Sequence, residues 1–479
     1  MQPRWSLYLL AFALLPGLLA RPAVSQEIRP LVELSRPSAV GSCDTGFHTF
    51  GDWPVEEVGE PIVAVNPIHP NNIVTAWIQG PFQDIIAAVS FDVGQTWQSV
   101  PIPLTTCSGG PFGGAGDPWL SFAPNGDLYA VAETGSSFST LGIYVSKSDD
   151  GGLHWSAPLL VPGSFSKDPG PSLTADPKDA RFAYATWRGI SAGQPGTVVF
   201  SRTTDGGLTW EPARTIVPPT PQGFIQFSQI LVLPDGTLVD IYDFRKRQLD
   251  KLVINLQVRR STNHGRTWSA PRNAVTRTPL LRAGLGMTLV VDPKTGQFVS
   301  DPNNPSFAVD RRNGNLYAVW EDGRFSNFQY PDIAFAMSAD RGLKWSAPIR
   351  VNQTPLNIPP ANRQAFFPSI AVAADGTIGV SYYDFRFNDA NPGLPTDHWL
   401  VLCHPSSARP ATNPANWGSE VRLTDSSFNM GPVVATGMRG GFFIGDYFGL
   451  AAAGNDFVSV FIQPDHDNVN TAFFRRVKP

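Results

Sequence analysis

Seven times along the chain, an apolar run leads through a turn into a second apolar run, which in most copies ends in or beside an aromatic residue. The first runs are Pro61–Val65, Pro118–Phe122, Pro171–Ala175, Ser228–Val232, Pro305–Val309, Pro368–Val372 and Tyr447–Ala451. Their side chains alternate between the two faces of an extended backbone, which is the period of a strand and not of a helix. Asn125-Gly126, Asp235-Gly236, Asn313-Gly314 and Asp375-Gly376 separate first runs from second ones, and such dipeptides favour tight two-stranded hairpins.

A second, shorter pattern follows in five of these units: Ser90-x-Asp92-x-Gly94-x-Thr96-Trp97, Ser148-x-Asp150-x-Gly152-x-x-Trp155, Thr203-x-Asp205-x-Gly207-x-Thr209-Trp210, Ser261-x-Asn263-x-Gly265-x-Thr267-Trp268 and Ser338-x-Asp340-x-Gly342-x-x-Trp345. Asp or Asn caps local backbone donors, and Gly accepts positive φ, so each copy predicts a hairpin turn. The Trp is expected to fold back and fill the space between neighbouring units. A sixth unit keeps Trp417-Gly418-Ser419 without the acidic part, and the seventh ends at Thr471–Arg475 one strand short. A strand around Leu31 to Leu34 is expected to complete it and close the ring, removing an exposed sheet edge. The pattern predicts an all-β chain: one propeller of four-stranded antiparallel blades over residues 26–479, with seven blades favoured over six.

In such a ring the loops after the second strand of each blade surround the mouth of the central channel. Those segments read Trp77-Ile78-Gln79, Glu133-Thr134, Trp187-Arg188, Tyr242-Asp243-Phe244-Arg245, Trp320-Glu321-Asp322-Gly323-Arg324, Tyr383-Asp384-Phe385-Arg386 and Gln463-Pro464-Asp465-His466. Blade starts add Asp117, Asp168, Arg363 and Asp446-Tyr447. A rim of arginines and carboxylates can hold an acidic sugar by bidentate pairing and retain acids for proton transfer. Arg188, Arg245, Arg324, Arg386 and Asp446 are the substrate-binding candidates. The competing reading makes Asp243 with Arg245, and Asp384 with Arg386, salt bridges inside their own blades. His466 is a further acid or base candidate, although Asp465-His466-Asp467 are adjacent in one loop and converge poorly on a metal.

Composition narrows the partners. The chain carries a net charge of −4 with 16% charged residues, and no run of Lys or Arg resembles an electrostatic footprint for nucleic acid, which argues against that partner. Arg4, an apolar stretch from Leu7 to Ala20 and small residues through Ser25 form the three-part layout of a secretory leader over residues 1–25. Export of a monomer with no stable membrane span is expected, and no cofactor or metal is implied. Among Cys43, Cys107 and Cys403, a Cys43–Cys107 disulfide would tie the N-terminal arm to the first blade; three unpaired thiols are the alternative.

The five Trp motifs resemble the Asp-box, or BNR, repeats of the sialidase superfamily, and the chain is similar over nearly its whole mature length to secreted sialidase-like propellers. That resemblance implies a glycoside hydrolase of exo-α-sialidase type acting on acidic terminal sugars, with Tyr447 as nucleophile, Glu321 supporting it and Asp384 as acid/base. Arg439, shortly before Tyr447, would belong to the arginine clamp on the substrate carboxylate. Where the family carries its first arginine, this chain reads Gly59-Glu60-Pro61-Ile62-Val63. Two other readings stay open: a glycan- or protein-binding propeller without turnover, and a polysaccharide lyase acting beside a uronate.

Overall fold

The computed structural model describes residues 26–47, 54–80, 82–137, 141–167, 169–190, 196–221, 223–248, 251–278, 280, 290–299, 304–430, 435–436, 441–442 and 444–479. Seven antiparallel sheets form the blades of a propeller. Blade 1 consists of Val58–Val65, Ile73–Gln79, Asp84–Ser90 and Gln98–Pro101. Blades 2 to 6 repeat the order, opening on Gly114–Phe122, Ser172–Ala175, Gly223–Val232, Ser306–Val309 and Ala365–Val372. Blade 7 has Gly449–Ala453, Asp456–Pro464 and Asn470–Lys478, and its outer edge is covered from the N-terminus: Ile28 pairs with Val477 and Val32 with Phe474. First strands of neighbouring blades touch one another and surround the axis. Among the described residues, no helix is long and apolar enough to cross a membrane.

The turn chemistry of the Trp motifs is visible in the hydrogen bonds. Ser90 Oγ donates to Asp92 Oδ1 at 2.8 Å and accepts from the Gly94 nitrogen at 2.8 Å, while Asp92 also accepts from the Thr96 nitrogen at 2.8 Å and the Thr96 hydroxyl at 2.6 Å. The bonds around Asp150, Asp205, Asn263 and Asp340 repeat this arrangement. Each of these Asp or Asn side chains is thus engaged by its own turn. The indoles bridge blades edge to face: Trp97 lies 4.9 Å from Phe474, Trp268 5.5 Å from Phe200 and Trp417 4.9 Å from Phe335. Gly94 sits at φ 85°, where a Cβ would come within 2.2 Å of the Phe474 ring, so this position requires glycine for both conformation and space.

Cys43 and Cys107 form a disulfide, and Cys403 is a buried free thiol. The long interval between the fourth and fifth Trp motifs holds an insertion. Val290–Val291 and Phe298–Val299 from it join Ala435–Thr436 and Gly441–Phe442, which precede blade 7, in an eighth small sheet. Gln364 ties that sheet to blade 6 through both Val291 backbone groups. The two loops joined in this way lead directly into Asn304 and Asp446.

Candidate functional site

The site is built where the first strands begin. The antiparallel register slips between Gly59 and Ile62, between Gly116 and Trp119, between Ile225 and Ser228, and between Phe366 and Ser369. Three of these irregularities contain a proline: Pro61, Pro118 and Pro368. A proline has no N–H for the ladder, and the bulge accommodates it while turning the preceding side chain out of the sheet. Those preceding residues are Glu60, Asp117 and Phe367, at φ 54°, 49° and 53°. Gly170, before Pro171 of blade 3, has φ 53°. Left-handed backbone at three non-glycine residues costs on the order of 1 kcal/mol each and concentrates where a protein has a use for it.

Glu60, Asp117, Gly170, Arg188, Gln226, Asn304, Asp446 and Tyr447 line one pocket at this level of the channel. An adjoining pocket shares Tyr447, Asp446, Phe227 and Asn304 and adds Trp119 and Phe367. Glu60 is 3% exposed, shares a hydrogen bond with Asp117, and has an Oε2 atom without a partner. Gly445 covers it so closely that a Cβ there would lie 2.7 Å from the Glu60 nitrogen. Burial, then the charges of Asp117 and Asp446, the Asp117 hydrogen bond and the charge of Glu133 push the Glu60 carboxyl well above its ordinary range. Half-buried Tyr447 donates its hydroxyl to the Pro118 carbonyl at 2.8 Å and packs 5.6 Å from the Trp119 ring. Burial, with Glu60, Asp117, Asp446 and Glu133 nearby, raises the Tyr447 phenol and keeps it protonated. Glu133 accepts the Gly170 N–H at 3.2 Å, which attaches blade 2 to the left-handed residue of blade 3.

Of the sequence candidates, the structure brings together Tyr447, Asp446, Asp117 and Arg188. The others are engaged elsewhere. Glu321 accepts the Phe367 N–H at 2.7 Å and lies 3.9 Å from Arg277; burial lifts it to about 7. Arg245 is buried against Asp243 at 2.9 Å, on the oxygen that Arg277 also reaches at 2.8 Å. Arg324 pairs with Asp322 at 2.8 Å. Asp384 is enclosed by Thr354 at 2.6 Å, the Trp399 indole at 3.1 Å and Arg386, while Arg386 reaches Glu420 at 2.6 Å and lies 3.6 Å over the Trp399 ring. The Asp243–Arg245 and Asp384–Arg386 pairs are therefore bonds within a blade. His466 is exposed in a loop where Arg36 binds Asp465. The leader, Asp168 and Arg439 lie outside the described residues. Tyr383 exchanges two hydrogen bonds with Ile462 between blades 6 and 7, so Tyr447 and not Tyr383 is the tyrosine at the mouth.

Sequence reasoning passes over Glu60, Gln226 and Asn304. The available signal was position: each stands just before the apolar run that opens a blade, and two of the three precede a proline.

A seven-bladed propeller with a carboxylate-rich channel mouth is what fold and site define. No known family and no curated protein matches the sequence. Among solved structures, the chain is similar to the α-L-arabinofuranosidase of Fusarium graminearum complexed with arabinobiose, at 13% identity over 75% of this chain and 93% of that one, with a TM-score of 0.46. It is also similar to the polysaccharide lyase Uly1 (10% identity, 90% and 92% covered, TM-score 0.48). A third is the intramolecular trans-sialidase from Ruminococcus gnavus (12% identity, 91% and 96% covered, TM-score 0.43). Similarity at this level assigns no chemistry to the chain.

Proposed function

We propose that the chain is an exported carbohydrate-processing propeller, a glycoside hydrolase whose active site is the channel mouth. The observation that carries this reading is Glu60: a buried carboxyl, shifted towards its protonated form beside Asp117 and Asp446, with one oxygen unpartnered, on left-handed backbone at the pocket wall. A glycosidic bond breaks when an acid protonates the leaving oxygen while a second carboxylate stabilises or captures the positive sugar carbon. Glu60 is suited to the first role, because burial and then its carboxylate neighbours favour its protonated form. Asp117 and Asp446 are suited to the second, and Tyr447 with Trp119 supplies an aromatic wall. The leader-like residues 1–25 support export.

The sugar favoured by this mouth is uncharged. Arg188 is the one cationic side chain among the described residues lining it, against Glu60, Asp117 and Asp446. An exo-sialidase would require an arginine clamp and a base to remove the Tyr447 proton, whereas this phenol is held protonated.

Purified protein tested on chromogenic uncharged glycosides, a sialoside and a uronate polymer decides among these chemistries. Release from an uncharged glycoside, reduced about 100-fold or more by Glu60→Gln with an unchanged melting temperature, is the expected result. Sialoside cleavage lost in Tyr447→Phe but kept in Glu60→Gln would replace the proposal with sialidase chemistry. An unsaturated product would make the protein a lyase. Oligosaccharide binding with no product from any substrate would make it a binding propeller.

A further inference from the structure

A second recess lies between the outer part of blade 4 and the Trp-motif turn of blade 5, outside the site described above. Arg260, Arg272, Trp268, Thr262, Ser269 and Leu343 line it. Gly342 of blade 5 rests on Val258, with its Cβ position 3.2 Å from Val258 Cγ1, and Val258 lines the recess. Arg272 pairs in register with Val258, and Arg260 follows Val258 by two residues, so both arginines stand on the sheet face that the recess exposes.

The charge of the recess is one-sided. Among the described residues, neither Arg260 nor Arg272 pairs with a carboxylate, and Arg260 Nε is buried with no hydrogen-bond partner. Arg259, on the same strand, donates its Nε to the Ser269 carbonyl at 2.7 Å. The Trp motif beside them carries Asn263 where the other four carry Asp92, Asp150, Asp205 and Asp340. Asn263 keeps the turn, accepting the Thr267 N–H at 2.9 Å and donating to its hydroxyl at 2.9 Å, but contributes no negative charge. A buried guanidinium nitrogen without a partner, next to a second unpaired guanidinium, hydroxyls and an indole, matches an anionic group on a sugar chain. The net charge of −4, with only 16% charged residues, weighs against a nucleic acid as the occupant.

We propose that this recess is a second, non-catalytic binding site for an anionic polysaccharide, with Arg260 and Arg272 gripping its sulfate or carboxylate groups. The full-length mature protein is titrated at low salt with dextran sulfate, polygalacturonate, uncharged dextran and a DNA duplex. Dextran sulfate or polygalacturonate should bind and be released by salt. Arg260→Gln and Arg272→Gln should each weaken binding about fivefold. Asn263→Asp, which keeps the turn and adds one negative charge, should weaken it in the same direction. Arg181→Gln, which removes an exposed arginine paired with Asp179, should leave binding unchanged. Retention of both polyanions supports recognition of either group, and retention of dextran sulfate alone supports sulfate. Failure to bind either polyanion, an equal loss in Arg181→Gln, or tighter binding of duplex DNA than of both polysaccharides would overturn the proposal.

Discussion

Glu321 Oε1 lies 2.7 Å from the backbone nitrogen of Phe367, the left-handed residue that opens blade 6. Glu133 does the same for Gly170 of blade 3 at 3.2 Å. In both cases a carboxylate on the second strand of one blade fixes the start of the next, so these glutamates hold the ring while Glu60 and Asp446 face the pocket.

That relationship makes Glu321 a stabilising residue. Glu321→Ala removes the acceptor from a buried N–H and a neighbour from Arg277, and should cost roughly 3 kcal/mol in urea unfolding. Glu321→Gln keeps an acceptor and should cost about 1 kcal/mol, with activity retained. A Gln variant as stable as the parent but inactive would place Glu321 in the chemistry instead.

Asp240 gives a pH signature. Burial raises its carboxyl from 3.8 to about 7, although it accepts a hydrogen bond from Ser228 at 2.7 Å. Between those values the folded chain holds a proton that the unfolded chain has released, so this contribution to stability is complete below the lower value and is lost as pH rises towards 7. Asp240→Asn should therefore be more stable than the parent by roughly 4 kcal/mol at pH 8, with the gap closing to below about 1 kcal/mol near pH 4. Denaturation midpoints at the two pH values test this; a difference that is constant with pH would mean that Asp240 ionises normally.

Gly94→Ala introduces a Cβ against the Phe474 ring at a left-handed position, at the junction of blades 7 and 1. A loss of roughly 3 kcal/mol is expected from strain and displaced packing together. Gly236→Ala serves as the comparison, since it also has positive φ but nothing within 4 Å, and should lose only the conformational part. Equal losses in the two variants would show that the Phe474 contact yields without cost.

The Cys43–Cys107 disulfide closes a loop with a sequence separation of 64 residues around the N-terminal arm. Cys43→Ser with Cys107→Ser should lower stability by roughly 3 kcal/mol, measured by thermal unfolding with and without reductant. The parent should respond to reductant and the double variant should not. An unchanged melting temperature on reduction would show that the bridge adds nothing to the fold.

The sequence by itself determined the architecture. Period-two apolar runs, Gly-containing turns and the Ser-x-Asp-x-Gly-x-x-Trp pattern act through bonds a few residues long, such as Ser90 to Asp92 and Asp92 to Thr96, so the blade count is readable from one-dimensional text. The rim was harder to read. Asp384-Phe385-Arg386 and Glu60-Pro61 both present charges near blade loops, yet Arg386 turns back onto Trp399 and Glu420 while Glu60 enters the pocket. What separates them is backbone sign at Glu60 and packing around Asp384, neither of which residue type reveals. Only the tertiary structure brought Glu60 and Asp117 against Asp446 and Tyr447, because the ring places the first and last blades side by side and joins residues from opposite ends of the chain. Local periodicity carries no information about contacts made across such a closure, and the charge those residues share depends entirely on them.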